Sequence, residues 1–302
     1  MNNVSSNING ILNVLKPVGM TSFDVVRQVR KIMHTKKVGH IGTLDPMASG
    51  VLPICIGKAT KIIEYLSSGY KVYHTEMTLG ISTDTQDSEG RILQQSDVNC
   101  TKNEIESAIL SFVGGYRQIP PMYSALKFKG KKLYEYARKG IEIERKARDA
   151  YIYWIKIAEV SENRVVFDVK CSKGTYVRTL CADIGKKLNC GAHMSALLRT
   201  ENGIFNLKNA HTIAEIEKVT NNESTQNVMM TIEQCIAANM ARVELLENDA
   251  FKFANGGFVK IEDTESANDE LVAVWESHKT VIGFANYIKR GKDIYLKPIK
   301  VL

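Results

Sequence analysis

GHIGTLDPMASGVLPICIGK, residues Gly39–Lys58, carries more information than any other stretch of the chain. One aspartate, Asp45, sits in the tight Leu44–Asp45–Pro46 corner, with Gly39, Gly42, Gly50 and Gly57 around it. Glycine opens backbone conformations closed to other residues. Pro46 fixes its own φ and pushes Asp45 toward an extended conformation. The segment therefore specifies a rigid, unusual backbone that presents one carboxylate beside His40. An isolated Asp-Pro would read as a turn and nothing more. The order of Gly, His, Asp and Pro over this whole string argues instead for a site.

The 302 residues suffice for one large core, or for a large domain with a small one. Hydrophobic content of 44% and charged content of 24% are ordinary for a soluble globular chain. The amino terminus, MNNVSSNINGILNVLKPVG, lacks a basic start followed by a long apolar run, so neither a secretory signal nor a membrane span is expected. Cys55, Cys100, Cys171, Cys181, Cys190 and Cys235 are scattered, without a Cys-x-x-Cys pair or a nearby His at zinc spacing. They read as reduced thiols of a cytoplasmic protein, and no metal is expected.

The net charge of +7 is concentrated. Lys127, Lys129, Lys131, Lys132, Arg138, Lys139, Arg145, Lys146 and Arg148 face only Glu135, Glu142 and Glu144 between residues 127 and 148. Tyr123, Phe128, Tyr134 and Tyr136 are interleaved or adjacent. A charge run is usually a solvated face. Clustered cations with aromatics also suit a phosphate backbone with unstacked bases.

Ile11–Leu15 reads as a strand. A helix follows, with Thr21 and Asp24 at capping-box spacing and Phe23, Val26, Val29, Ile32 and Met33 at helical period. Lys61–Leu66 reads as a short helix. Val72–Leu79 alternates, placing Tyr73, Thr75, Met77 and Leu79 on one face of a strand. Ser82–Gly90 is polar and turn-like. Thr101 and Glu104 box a second helix that stops at Gly114-Gly115. Tyr151–Ala158 and Arg164–Cys171 read as strands, and Gly174-Thr175 opens a helix reaching about Leu188. Strands and helices mix without doubly wound alternation, so an α/β domain on a mixed sheet is expected. After a polar break at Asn221–Asn227, short strands are expected at Arg242–Leu245, Phe258–Ile261, Leu271–Trp275, Val281–Tyr287 and Ile294–Leu296, with a short helix near Asp249–Asn255.

The motifs together resemble the TruB family of tRNA pseudouridine synthases. The resemblance rests on Asn13–Ser22 (NVLKPVGMTS), Gly39–Lys58, Tyr73 before Leu79-Gly80, Ser82–Gly90 (STDTQDSEG), Gln118–Arg148, Cys171–Thr179 (CSKGTYVRT) and Gly191–Arg199 (GAHMSALLR). It covers about residues 10–215 in order, and more weakly the carboxy-terminal part. It implies an α/β (α+β) fold: a pseudouridine-synthase catalytic domain at 1–239 on a mixed, mainly antiparallel sheet, a basic thumb-like insertion at about 122–148, and a small β-rich, PUA-like RNA-binding module at 240–302.

The activity it implies is isomerisation of uridine 55 in the tRNA T-loop, without cofactor, with accompanying tRNA folding assistance in some settings. Asp45 matches the nucleophile and Arg178 its ion-pair partner. Tyr73 matches the aromatic that stacks on the target base and handles a proton, Tyr176 a second pocket aromatic, and Leu197 a uracil-pocket residue. His40 matches the residue that fills the space left by the flipped nucleotide. Lys127, Lys129, Lys131, Lys132, Arg138, Arg145 and Arg148 would hold the RNA backbone of the T-arm. The partner implied is tRNA, with no guide RNA and no membrane, and the chain is expected to be a monomer. Leu198 and Thr200 depart from the family, which often carries Arg at one or both positions, so one phosphate contact the resemblance would imply stays open.

Three other readings share some of these features. A guide-RNA-dependent relative shares the aspartate motif, but Tyr123–Gly140 resembles the stand-alone bacterial insertion. A non-catalytic tRNA chaperone would not need Asp45, Tyr73, Tyr176 and Arg178 together. A nucleoside glycosidase usually needs a second carboxylate.

Overall fold

The computed structural model describes residues 8–66, 69–222, 225–261, 271–277 and 279–302. The first half of the chain runs β1 (Gly10–Lys16), α1 (Ser22–Ile32), β2 (Val38–His40), β3 (Ser49–Ile56), α2 (Ile63–Leu66), β4 (Lys71–Leu79), β5 (Ile81–Thr83), β6 (Ile92–Gln95), α3 (Lys102–Leu110), β7 (Gly114–Gln118), β8 (Lys127–Phe128), β9 (Lys131–Lys132) and α4 (Leu133–Ala137). It continues with β10 (Arg148–Ser161), β11 (Arg164–Cys171), α5 (Val177–Lys187), β12 (Ala192–Asn202), β13 (Phe205–Asn206), α6 (Ile213–Asn222), β14 (Met229–Met230) and α7 (Ile232–Ala237). The last part holds β15 (Arg242–Leu245), α8 (Glu247–Ala254), β16 (Val259–Ile261), β17 (Leu271–Glu276), β18 (Thr280–Arg290) and β19 (Asp293–Val301).

A ten-stranded sheet forms the main body, ordered β14-β1-β3-β12-β4-β11-β10-β7, with β2 on β3 and β13 on β12. Its pairs are antiparallel except β3 with β12, which run parallel at Ser49–Leu198 and Gly50–Arg199. The mixed, mainly antiparallel architecture read from the sequence is the one found. Tyr73, Thr75, Met77 and Leu79 are all buried, as their alternation requires. Both helical capping boxes form: Thr21 Oγ1 accepts from the Asp24 amide at 3.0 Å, and Glu104 Oε2 accepts from the Thr101 amide at 2.8 Å.

Several segments differ from the sequence reading. Gly114-Gly115 stops α3 but also opens β7, an edge strand paired with Arg148–Ile152 of β10. Ala192–Asn202 is a central strand, not foreseen, and α6 and α7 were not foreseen either. The polar stretch at Asn221–Asn227 ends α6 and includes a short helical turn, Thr225–Asn227; residues 223 and 224 of it lie outside the described residues.

Both faces of the sheet are covered. On one, Leu12, Val14, Leu52 and Ile54 pack with Val25, Val26 and Val29 of α1, Ile105 and Ile109 of α3, and Leu180 and Ile184 of α5. On the other, Ile11, Val51 and Cys55 pack with Ile62, Leu66, Cys235 and Ile236. That second cluster also takes in Ala273, Trp275, Val281 and Phe284 from a separate five-stranded sheet, ordered β15-β17-β18-β19-β16. The Tyr65 and Phe284 rings stack there with centroids 4.0 Å apart. The carboxy-terminal sheet has a core of its own as well, around Phe253, Val272 and Leu296.

Candidate active site

Asp45 lies in the loop between β2 and β3, whose path requires glycine at two positions. Gly42 and Gly50 have φ of +72° and +112°, a region that other residues rarely enter. A Cβ at Gly50 would also lie 2.2 Å from the Arg199 carbonyl oxygen, across the parallel step to β12.

Side chains from distant strands then hold the loop. Ser22 Oγ donates to the Leu44 carbonyl at 3.0 Å and accepts from the Leu44 amide at 2.9 Å. Lys16, fully buried, points its ammonium at the carbonyls of Met20 (2.6 Å), Pro17 (2.8 Å) and Pro46 (3.3 Å). Burial lowers Lys16 to about 8, with Asp45 pulling the other way. Arg199, only 1% exposed, donates from Nε to the Val51 carbonyl at 2.7 Å, and from its Nη atoms to Gly42 at 3.0 Å and Thr43 at 3.4 Å. Asn202 Nδ2 adds a bond to the Ile41 carbonyl at 2.9 Å. The loop is thus gripped by one buried cation on each side.

Asp45 Oδ2 lies 3.0 Å from Arg178 Nε, with the Asp45 side chain 37% exposed and that of Arg178 5%. Arg178 belongs to the first turn of α5. Its remaining donors are spoken for: Nη1 reaches the Thr85 carbonyl at 3.1 Å and Asp87 Oδ2 at 3.4 Å, and Nη2 the Tyr123 carbonyl at 2.9 Å. Asp87 is itself held by Thr85 Oγ1 at 2.5 Å and the Glu89 amide at 3.2 Å. One fixed guanidinium therefore serves two carboxylates, of which only Asp45 opens to solvent. Burial pushes the Asp45 carboxyl up; Arg178 opposes this, Asp87 adds to it, and Lys16 opposes it.

Tyr73 is buried on β4, and its hydroxyl is hydrogen-bonded to Arg199 and feels the charge of Asp45. Burial pushes that hydroxyl up to about 12, so it is neutral. Tyr176 caps α5, and a reciprocal pair of bonds with Gln118 fixes its backbone: its amide to Oε1 at 2.7 Å, its carbonyl from Nε2 at 3.0 Å. Burial pushes its hydroxyl up, and it feels the charges of Arg178 and Asp45. Leu197 is buried in β12, opposite Thr75. His40 ends β2; burial and then Arg199 lower its imidazole, and its buried Nδ1 has no hydrogen-bond partner among the described residues.

The basic insertion rises from β7 and β10. Lys127, Lys129, Lys131, Arg138 and Arg148 are exposed, and Lys132 is half-buried. The β8–β9 hairpin turns at Lys129-Gly130, both at positive φ. Lys132 and Arg138 both lie over the Tyr134 ring, at 5.5 and 5.3 Å. Arg145 turns inward, to Glu142 at 3.1 Å and the Pro120 carbonyl at 3.3 Å. Between Leu198 and Thr200, Arg199 points into the protein, while Thr200 Oγ1 bonds the Val72 carbonyl at 3.2 Å.

Lys16, Thr85, Asp87, Gln118 and Arg199 were not singled out by sequence, and Tyr123 only as an aromatic beside the basic run. Lys16, Asp87 and Arg199 stand inside the recognised motifs, and that was their available signal; the Thr85 and Tyr123 contacts use backbone carbonyls, which leave no residue-type signature. Among the described residues, no three His, Cys, Asp or Glu side chains gather to hold a metal, and no helix is long and apolar enough to cross a membrane.

Comparisons with known proteins place the chain in a family. Residues 30–177 match the family model for the TruB family pseudouridylate synthase amino-terminal domain, and residues 178–237 that for the tRNA pseudouridylate synthase B carboxy-terminal domain. A tRNA pseudouridine synthase B of Alkaliphilus oremlandii is 60% identical over 300 residues, 98% of each chain. One of Clostridium acetobutylicum is 46% identical over 291 residues, 95% of this chain and 98% of that one. Among solved structures, a chain in the crystal structure of a Cbf5-Nop10-Gar1 complex aligns with a TM-score of 0.77 and 25% identity, over 97% of this chain and 84% of that one. A carboxylate paired with a buried arginine on a mixed sheet, in a chain alike to these relatives from end to end, leads to one assignment: the chain belongs to the TruB family of pseudouridylate synthases.

Proposed function

We propose that this chain converts uridine 55 in the T-loop of tRNA to pseudouridine, with Asp45 as nucleophile. The observation that carries the reading is the Asp45–Arg178 pair at 3.0 Å, whose carboxylate alone of the two around Arg178 opens to solvent. The C1′–N1 bond breaks, the uracil turns, C1′ bonds C5, and the C5 proton is exchanged for one on N1. Atoms balance within the nucleotide, and Asp45 is regenerated. Arg178 keeps the carboxylate aimed and favours its ionised form against burial. Tyr73 stacks on the extruded base and moves the proton, Tyr176 and Leu197 wall the pocket, and His40 fills the space the base leaves. Lys127, Lys129, Lys131, Lys132, Arg138 and Arg148 engage phosphates, with Arg145 bracing their loop. Specificity then comes from the shape of the RNA loop rather than its phosphates.

The full-length likeness to stand-alone bacterial relatives supports action without guide RNA. The reading includes a cytoplasmic monomer and a division at residues 239 and 240, the second sheet forming a separate RNA-contacting unit. The test is sequencing-based pseudouridine mapping on unmodified tRNA incubated with the protein. Conversion at the T-loop uridine, absent with Asp45→Asn, is expected. Conversion confined to other positions would overturn the assignment.

A further inference from the structure

Arg27–Lys37 reads RQVRKIMHTKK: five lysines and arginines, one histidine and no carboxylate. The segment covers the later turns of α1 and the turn into β2. Val25, Val26, Val29 and Met33 seat the helix on the sheet, which leaves Arg27, Lys31, His34, Lys36 and Lys37 exposed. Asp24 pairs with Arg27, and Arg30 reaches the Val38 carbonyl at 3.2 Å. The ion pairs of the described residues leave out Lys31, Lys36 and Lys37. Beside them Phe23 stands 55% exposed, with the Arg27 and Arg30 guanidinium carbons 5.8 and 5.6 Å from its ring centroid. A face that is merely solvated intersperses both signs; from Arg27 to Lys37 this one carries cations only, with Asp24 just before them and an aromatic ring held out beside them.

Its place in the fold gives the patch a role. α1 packs on the sheet face that α5 covers, and its Ser22 holds Leu44 of the Asp45 loop. In the sheet, β1 and β3 lie on one side of β12 and β4, while β10 and β7, from which the basic insertion rises, lie on the other. The path from β3 to β10 crosses β12, β4 and β11, which at about 4.8 Å per strand is roughly 19 Å. The basic face starts beside the Asp45 loop, where Ser22 holds Leu44, and runs away from it to Lys37, whose carbonyl takes the Gly57 amide at the far end of β3, about 23 Å from Gly50. A polyanion that places a nucleotide at Asp45 and extends that far meets this face as well as the insertion.

We propose that Arg27, Lys31, Lys36 and Lys37, with Phe23, form a second phosphate-binding ridge. It engages the backbone of the RNA in the Asp45 cleft on the side away from the insertion. This inference rests on the reading that the cleft takes an RNA substrate. Phosphate contacts of this kind release counterions, so each one steepens the salt dependence of binding.

The test uses the full-length chain with Lys31, Lys36 and Lys37 all replaced by Gln, and a fluorescein-labelled unmodified tRNA transcript. Dissociation constants are taken by anisotropy at several KCl concentrations, and single-turnover rates at saturating protein. The log–log salt slope should fall by about two to three, with affinity at physiological salt lower by roughly tenfold to a hundredfold. The saturated rate should stay within twofold. The lysines are exposed, so an unchanged thermal melt is expected, and a Lys31→Glu, Lys36→Glu variant should weaken binding further. An unchanged slope, or a lower saturated rate at unchanged slope, overturns the ridge. Wild-type protein that binds RNA but converts no uridine overturns the function proposed above, and the slope still decides the ridge.

Discussion

Asp45→Asn should abolish turnover and leave the protein as stable as before, or slightly more stable. The structure sets opposing contributions around this side chain. At 3.0 Å from Arg178, the gross Coulomb attraction at an effective dielectric of 20 is about 5.5 kcal/mol. Asp45 is 37% exposed, so water screens much of that. Burial, with help from Asp87, pushes the carboxyl up by more than Arg178 and Lys16 pull it down. A raised folded-state value for an acid contributes stability that is present below its unfolded value and lost as pH rises through the folded one. Once ionised, Asp45 is therefore a net load on the fold. Asparagine removes that load, while Arg178 keeps Asp87 and the Thr85 and Tyr123 carbonyls. The expected gain is between zero and about 1 kcal/mol, or up to roughly 2 °C in melting temperature. Asp87→Asn should behave oppositely: buried and bonded to Thr85, Glu89 and Arg178, its loss should cost about 2–3 kcal/mol. Urea unfolding and tritium release from tRNA carrying 5-tritiated uridine measure the two properties. An Asp45→Asn protein destabilised by more than about 1.5 kcal/mol would make Asp45 a structural anchor and refute the reasoning. Turnover within tenfold of wild type would remove it from the chemistry.

Tyr73→Phe should lower the single-turnover rate by roughly a hundredfold or more with little change in RNA affinity, since proton transfer is worth that much; a change in affinity alone would leave the hydroxyl no catalytic part. Lys16, lowered to about 8, binds fewer protons when folded than when unfolded between pH 8 and about 10.5. The stability of wild type relative to Lys16→Met should therefore rise from pH 7.5 to 9.5 in urea titrations, and a constant difference would mean that Lys16 titrates normally. A chain ending at Met240 uncovers Ile62, Leu66, Tyr65 and Cys235, which the second sheet now covers. Its melting temperature should fall by about 10 °C or more, several kcal/mol of apolar burial being lost, and an unchanged melt would make that contact negligible.

What sequence reveals here depends on how local the cause is. The two Thr-led capping boxes and the alternation of β4 are decided within four to nine residues, and both were legible. β12 was not, because register shifts between Met194 and Ala196 and between Arg199 and Glu201 break its alternation. β7 was hidden because Gly114-Gly115 signals a helix stop equally well, and pairing with β10 decides the matter. Asp45 and Arg178 could be named from their motifs, and they do meet. The supports behind them could not, since Lys16 and Arg199 act on main-chain carbonyls that any residue would offer.

The grip of Arg199 on the Asp45 loop has a consequence for the order of events in folding. Its guanidinium closes on carbonyls 148, 156 and 157 residues earlier in the chain. Contacts at such separation form slowly, because loop closure precedes any reward from the contact. During synthesis, β1, α1 and the aspartate segment emerge long before β12 exists. Until Arg199 arrives, the carbonyls of Gly42, Thr43 and Val51 lack their donor and the aspartate its fixed aim. After dilution from denaturant, helical signal should return first and catalytic activity last: a nascent chain holds Asp45 early and completes the site around it only when β12 docks.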